Sequence, residues 1–292
     1  MLAVHPARCP ARRGCVTIAS MSKAPAAGLL LVVASCLAAC ASPARHADEL
    51  ARGFGFEREI VGGEGFRHLI YRNTATTTAT AGAAMLHVYI EGDGTPYRRP
   101  DTVAADPTPR NPLMLRLMAL DPSPSIYLGR PCYFEPRRDP ACDSIYWTLR
   151  RFGPEVLASM EAVLRAERMR AGASRVELFG HSGGGTLAVL LAQRIDEVSK
   201  VVTIGANLDL AAWCRLHGYS PLSGSLSPVD LPPPRAALEI LHLVGADDTN
   251  TPPSLVIGAA RARGGEPVRV LAHQNHSCCW EAPWPSVLSG AL

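Results

Sequence analysis

The stretch Gly180-His181-Ser182-Gly183-Gly184 decides the fold. A short apolar run, Val176-Glu177-Leu178-Phe179, precedes it, and a long one, Thr186-Leu187-Ala188-Val189-Leu190-Leu191-Ala192, follows. The first has the length of a buried strand and the second the length of a helix. A G-x-S-x-G segment between a strand and a helix makes a turn so tight that its serine projects above the sheet. The glycines are needed because a side chain there would strike the neighbouring strand or helix.

A serine nucleophile needs a base, and the base needs a carboxylate to orient it and to stabilise its charged form. Downstream, Ala237-Leu238-Glu239-Ile240-Leu241-His242-Leu243-Val244 reads as a strand that runs into Gly245-Ala246-Asp247-Asp248-Thr249-Asn250-Thr251-Pro252-Pro253. A helical stretch, Leu255 to Arg263, leads to a last strand, Val268-Arg269-Val270-Leu271-Ala272. His273-Gln274-Asn275-His276-Ser277-Cys278-Cys279-Trp280 follows it. The order Ser, Asp, His is that of the α/β-hydrolase superfamily, which the chain resembles from about Phe54 to its C-terminus. The resemblance implies that Ser182 is the nucleophile and that His276, a few residues beyond the last strand, is the base. It puts the acid at Asp248, with Asp247 the near rival and Asp209 an alternative one strand earlier. His273 reads as a strand-end residue.

The same resemblance places the oxyanion hole. One N–H comes from the residue after the nucleophile, Gly183, and the other from the loop after an earlier strand. Leu86-His87-Val88-Tyr89-Ile90 alternates as that strand and ends in Glu91-Gly92-Asp93-Gly94. The second donor is therefore Asp93 or Gly94. Asp93 is expected to offer its backbone and to point its carboxylate away, since a negative charge would oppose the developing oxyanion. Many members carry His-Gly where this chain has Glu91-Gly92. The chain also resembles bacterial α/β-hydrolase lipoproteins with an E-G-D-G turn, an Arg130-Pro131-Cys132 segment and a His276-to-Trp280 ending.

Strands alternating with helices predict a parallel sheet covered on both faces, an α/β fold. Phe56 to Val61 and Phe66 to Tyr71 read as two leading strands around Gly62-Gly63. Asn73 to Ala84 reads as an exposed loop, and the Pro-rich Thr95 to Pro112 as a surface segment. Pro154 opens a helix carried by Val156, Leu157, Met160, Val163 and Leu164. Residues 207–235 hold five prolines and no clear element, and are expected to form a small cap whose pocket walls include Trp213, His217 and Tyr219.

The 292 residues, 47% hydrophobic and 19% charged, suffice for one sizeable core over residues 54–292. A net charge of +3, with scattered basic residues, argues against a nucleic-acid partner. Ahead of the core, Met21-Ser22-Lys23 and the apolar Ala26 to Ala34 have signal-peptide form, too short for a membrane span. Leu37-Ala38-Ala39-Cys40 resembles the bacterial lipobox. Residues 1–40 then form a lipoprotein signal with an over-extended start over 1–20, Cys40 carries the lipid, and residues 41–53 are a tether. No Asp follows Cys40, which favours the outer membrane facing the periplasm.

Export implies oxidised cysteines. With Cys40 lipidated, Cys132, Cys142, Cys214, Cys278 and Cys279 remain. Cys132 and Cys142 flank a charged, Pro-containing loop that needs a covalent clip. Cys214 is expected to pair with Cys278 or Cys279, a vicinal Cys278–Cys279 bridge being the rival. A metal site at His273, His276, Cys278 and Cys279 is disfavoured, because adjacent cysteines lack zinc spacing. The expected protein is a monomeric serine hydrolase acting on small-molecule esters, with no metal or cofactor. An acyltransferase and a non-catalytic binding lipoprotein are the alternatives.

Overall fold

The computed structural model describes residues 42–78 and 84–292. Eight strands form one sheet: β1 (Glu57–Gly62), β2 (Arg67–Arg72), β3 (Met85–Ile90), β6 (Ser125–Leu128), β7 (Arg175–His181), β8 (Val198–Ile204), β9 (Glu239–Gly245) and β10 (Val268–Leu271). Their spatial order is β1-β2-β6-β3-β7-β8-β9-β10. β2 is antiparallel to both β1 and β6, and every later pairing is parallel. β4 (Tyr97–Arg99) and β5 (Thr102–Val103) form a separate hairpin.

Side chains alternate across a strand, so a sheet covered on both faces must bury both sets. The strands do this consistently. Ile70, Val88, Ile126, Leu178 and Val201 enter one core. Their sequence neighbours Tyr71, Tyr89, Tyr127, Phe179 and Val202 enter the other. The first core is closed by α4 (Pro154–Ala171) and α5 (Gly183–Ala192). The second is closed by α1 (Pro43–Gly53), α3 (Leu113–Met118) and α8 (Trp284–Leu288), with Trp280 and Trp284 fully buried. The short α2 (Thr74–Thr78) opens the segment expected to be loop.

Three expectations need correction. Residues 43–53 are not a tether but the helix α1. Ser42 caps its first turn by accepting from Arg45 N, Ala47 and Ala51 are buried, and Asp48 accepts from Tyr71 Oη at 2.6 Å and from Arg58 Nε at 2.8 Å. Second, the cap is ordered by a helix, α6 (Leu210–His217). Asp209 Oδ1 accepts from Ala212 N at 2.8 Å, and the left-handed Gly218 ends the helix. Third, Cys214 lies buried on α6 as a free thiol, while Cys278 is bridged to Cys279. The reason is the turn after His276. Asn275 Oδ1 accepts from Ser277 N and Cys278 N, and Trp280 is buried with its indole N–H on Asn275 O. The two cysteines between are left exposed and adjacent, whereas Cys214 is buried. Cys132 is bridged to Cys142, with Cα atoms 5.4 Å apart. Cys40 and the signal segment lie outside the described residues.

Candidate active site

In open parallel sheets, sites form beyond the carboxyl ends of the strands. Here β7 ends at His181, and Ser182 follows at φ 53° and ψ −123°, a conformation that side-chain-bearing residues rarely adopt. The backbone hydrogen bond from Ser182 N to Ile204 O, 2.8 Å, ties the turn to β8. Two glycines let the turn close. A Cβ on Gly180 would lie 2.4 Å from Gly184 O, and one on Gly184 would lie 2.2 Å from Ile90 O.

His276 sits in the loop after β10 and reaches back to this serine. Its Nε2 is 3.0 Å from Ser182 Oγ, and its Nδ1 is 2.9 Å from Asp248 Oδ2. Asp248 begins the turn between β9 and α7 (Pro253–Ala262) and is buried. Its other oxygen, Oδ1, accepts from Asn250 N at 2.9 Å and Thr251 N at 2.8 Å. Thr251 in turn donates to Asn207 Oδ1 at 2.9 Å. A carboxylate so held makes Nδ1 carry the proton and leaves Nε2 free to accept one from serine. Burial drives the imidazole pKa below its ordinary value. Asp248 opposes that, and the neighbouring His181 ring adds to it. The base is therefore neutral at neutral pH, as proton abstraction requires.

The rival residues are elsewhere. Asp209 caps α6, and Asp247 and His273 are exposed.

The loop after β3 lies against the elbow because Ile90 pairs with Gly180. A Cβ on Gly92 would be 3.2 Å from Ser182 Cβ. Among the described residues the N–H groups of Asp93, Gly94 and Gly183 have no acceptor. They are unspent donors beside Ser182, as an oxyanion hole needs. The Asp93 carboxylate, however, does not turn away from the elbow. It packs on Gly183, where a Cβ would lie 2.1 Å from Asp93 Oδ1. Its charge is compensated instead. Arg130 Nη1 donates to Oδ1 at 2.5 Å and Arg151 Nη1 donates to Oδ2 at 2.8 Å. Burial pushes the carboxyl up, but Arg151 and Arg130 together hold it below the usual carboxylate value. Tyr133 Oη donates to Asp93 O at 3.1 Å and fixes the backbone.

Glu91 turns inward. Its Oε2 accepts from Met114 N at 2.9 Å and its Oε1 faces His181 Nδ1 at 3.5 Å. His181 Nε2 then meets His276 O at 2.7 Å, in the geometry of a donor to that carbonyl. The x of G-x-S-x-G thus ties the elbow to the loop of the base through Nε2, while its Nδ1 is buried without a hydrogen-bond partner.

Sequence reasoning missed Asn250, Arg130 and Arg151. Asn250 Nδ2 lies 2.8 Å from His276 Nε2, and Asn250 O accepts from Trp213 Nε1 at 3.1 Å and meets His217 Nε2 at 2.7 Å. Arg130 stood in a segment singled out for its cysteine, but no local signal pairs it with Asp93.

A cleft of about 720 Å³ opens over Ser182 and His276. Its walls include Leu149, Trp213, Tyr219 and Leu222, and its exposed rim includes β4 and Pro100.

No protein-family model and no curated protein matches the chain. Solved structures do. A membrane phospholipase A, described as a bacterial virulence factor, superposes with a TM-score of 0.54 at 16% identity, covering 91% of this chain and 96% of that one. A proline iminopeptidase-related protein from Thermus thermophilus gives 0.55 at 14% identity, covering 80% and 96%. Est1E from Butyrivibrio proteoclasticus gives 0.52 at 12% identity, covering 80% and 97%. Such identities speak to the fold alone. With this strand order, the elbow after β7 and these likenesses, the chain has the α/β-hydrolase fold.

Proposed function

We propose that the protein is a serine hydrolase that cleaves carboxylic esters through an acyl-enzyme. The observation that carries this reading is the continuous chain Ser182 Oγ–His276 Nε2, 3.0 Å, and His276 Nδ1–Asp248 Oδ2, 2.9 Å. Ser182 attacks the ester carbonyl while His276 takes its proton. The N–H of Gly183, with that of Asp93 or Gly94, receives the oxyanion. His276 then returns the proton to the leaving alcohol, and water resolves the acyl-enzyme by the same path. An ester is favoured over a peptide because no peptide-terminus anchor is evident in the sequence. The Leu37-to-Cys40 lipobox supports attachment to the membrane through a lipid on Cys40, at the periplasmic face of the outer membrane.

A fluorophosphonate probe tests the catalytic reading. It should label Ser182 in the folded protein and leave Ser182→Ala unlabelled. Labelling that persists in Ser182→Ala, or none in the parent, would overturn it. Cys40→Ser tests the anchor. It should abolish lipid labelling and leave unprocessed precursor, and unchanged lipid labelling would refute it.

A further inference from the structure

Among the described residues most arginines are tied to carboxylates or carbonyls. Arg58, Arg67, Arg72, Arg116, Arg130, Arg151, Arg168 and Arg194 all form ion pairs. Of the arginines without such a partner, three lie at the cleft. Arg98 and Arg99 on β4, and Arg110 facing them from the following loop, line the same cleft as Ser182 and are exposed. Among the described residues none of the three guanidinium groups has an ion-pair or hydrogen-bond partner.

The acids that could neutralise them are engaged elsewhere. Glu91 accepts from Met114 N, and Asp93 is clamped between Arg130 and Arg151. On the hairpin and the loop, Asp101 accepts from Thr102 Oγ1 and lies outside the cleft lining, while Asp106 pairs with Arg137 at 3.3 Å. The deep wall is apolar and the mouth is cationic. A guanidinium presents two parallel N–H groups that match a carboxylate or phosphate.

Resting on the ester-hydrolase reading above, we propose that the substrate is an anionic ester. Its apolar portion lies along Leu149, Trp213 and Leu222, and its far end carries a carboxylate or phosphate bound by Arg98, Arg99 and Arg110. A concave cationic mouth also concentrates anionic substrate before contact, so part of the preference should vanish with salt.

The test compares two esters of matched acyl length, p-nitrophenyl hexanoate and mono-p-nitrophenyl adipate, which differ in a terminal carboxylate. At low ionic strength kcat/KM should favour the adipate at least about tenfold, equivalent to about 1.4 kcal/mol. The triple variant R98Q/R99Q/R110Q should bring the adipate-to-hexanoate ratio close to one, and high salt should lower it in part. R269Q, an exposed arginine outside the cleft, should keep the parent ratio. Hexyl phosphate and heptanoate, used as competitive inhibitors of hexanoate hydrolysis, separate the two anion classes: the better inhibitor names the group. Equal kcat/KM for the two esters, or a ratio unmoved by the triple variant, overturns the anion assignment. If Ser182 is still labelled by the fluorophosphonate, the hydrolase reading survives that result. If Ser182 is unlabelled and neither ester is turned over, both readings fall together.

Discussion

The Nδ2 atom of Asn250 lies 2.8 Å from His276 Nε2, the same nitrogen that Ser182 Oγ approaches at 3.0 Å. Two donors share one lone pair. With Nδ1–H facing Asp248, Nε2 has no proton, so the Asn250 amide must present its N–H there. Once the imidazole is protonated, that N–H faces another N–H and the contact becomes repulsive. Asn250 thus disfavours the imidazolium and acts as a positioning residue through His276. Asn250→Ala should move the acidic limb of the kcat/KM profile upward by about half to one pH unit, since a neutral hydrogen bond contributes about 1 kcal/mol and one unit is 1.36 kcal/mol. Asn250→Asp should move it further, because a carboxylate favours the cation. An acidic limb unchanged in both variants would refute the role.

The pH dependence of the parent follows from His276. Burial lowers its pKa despite Asp248, so the base stays neutral below the ordinary imidazole range. Turnover should persist below pH of about 6.5, the unperturbed value, and fall only at lower pH. The same shift acts on stability. The unfolded chain binds this proton more readily, so the contribution of this group is complete above the unfolded value and lost as pH falls below it. Denaturant midpoints measured across that window should decline toward acid.

Asp93 offers a stability test. Its carboxylate answers two guanidiniums that are themselves nearly inaccessible, Arg130 at 2% and Arg151 at 5% exposure. Asp93→Ala leaves both charges without a counter-charge and should destabilise the fold by about 3–5 kcal/mol. Restoring neutrality in Asp93→Ala/Arg130→Met should recover part of the loss. Urea unfolding of the single and double variants measures both, and no loss in the single variant would refute the clamp.

The bridge from Cys132 to Cys142 closes a short loop that carries exposed charge. Cys132→Ser/Cys142→Ser should lower stability by about 2–3 kcal/mol. Peptide mapping without reductant should find Cys132 joined to Cys142 and Cys278 joined to Cys279. Cys214 should take up alkylating reagent only after unfolding, since its thiol is buried.

The reading from residues reached the strands and helices that carry a strong period. β6 over Ser125–Leu128 and the elbow between β7 and α5 show that most directly. It failed where the signal is not periodic. Helix α1 looks like a tether because its apolar positions are mostly alanines, which bury little area yet pack closely. α6 is short and followed by proline-rich chain, although Asp209 and Gly218 are ordinary start and stop residues. Ser182, Asp248 and His276 stood out because chain order and strand ends restrict them. Asn250, two residues beyond Asp248, had no such restriction, since its amide becomes meaningful only when Trp213 and His217 hold its carbonyl in space. Arg130 and Arg151 belong to the same class. A buried triad of charges is a tertiary fact, and no local pattern distinguishes its arginines from those at the surface.

The elbow has a consequence for the order of assembly. Ser182 reaches its backbone conformation only with β8 in place to accept its N–H, and Gly184 leans on the end of β3. These contacts are far apart in the chain, and contacts of that kind form late and slowly. Chains still collapsing can therefore carry helices and a partial sheet without a working serine. In refolding from denaturant, helical circular dichroism should return ahead of fluorophosphonate reactivity. A hydrolase built this way stays chemically silent until its central strands have met.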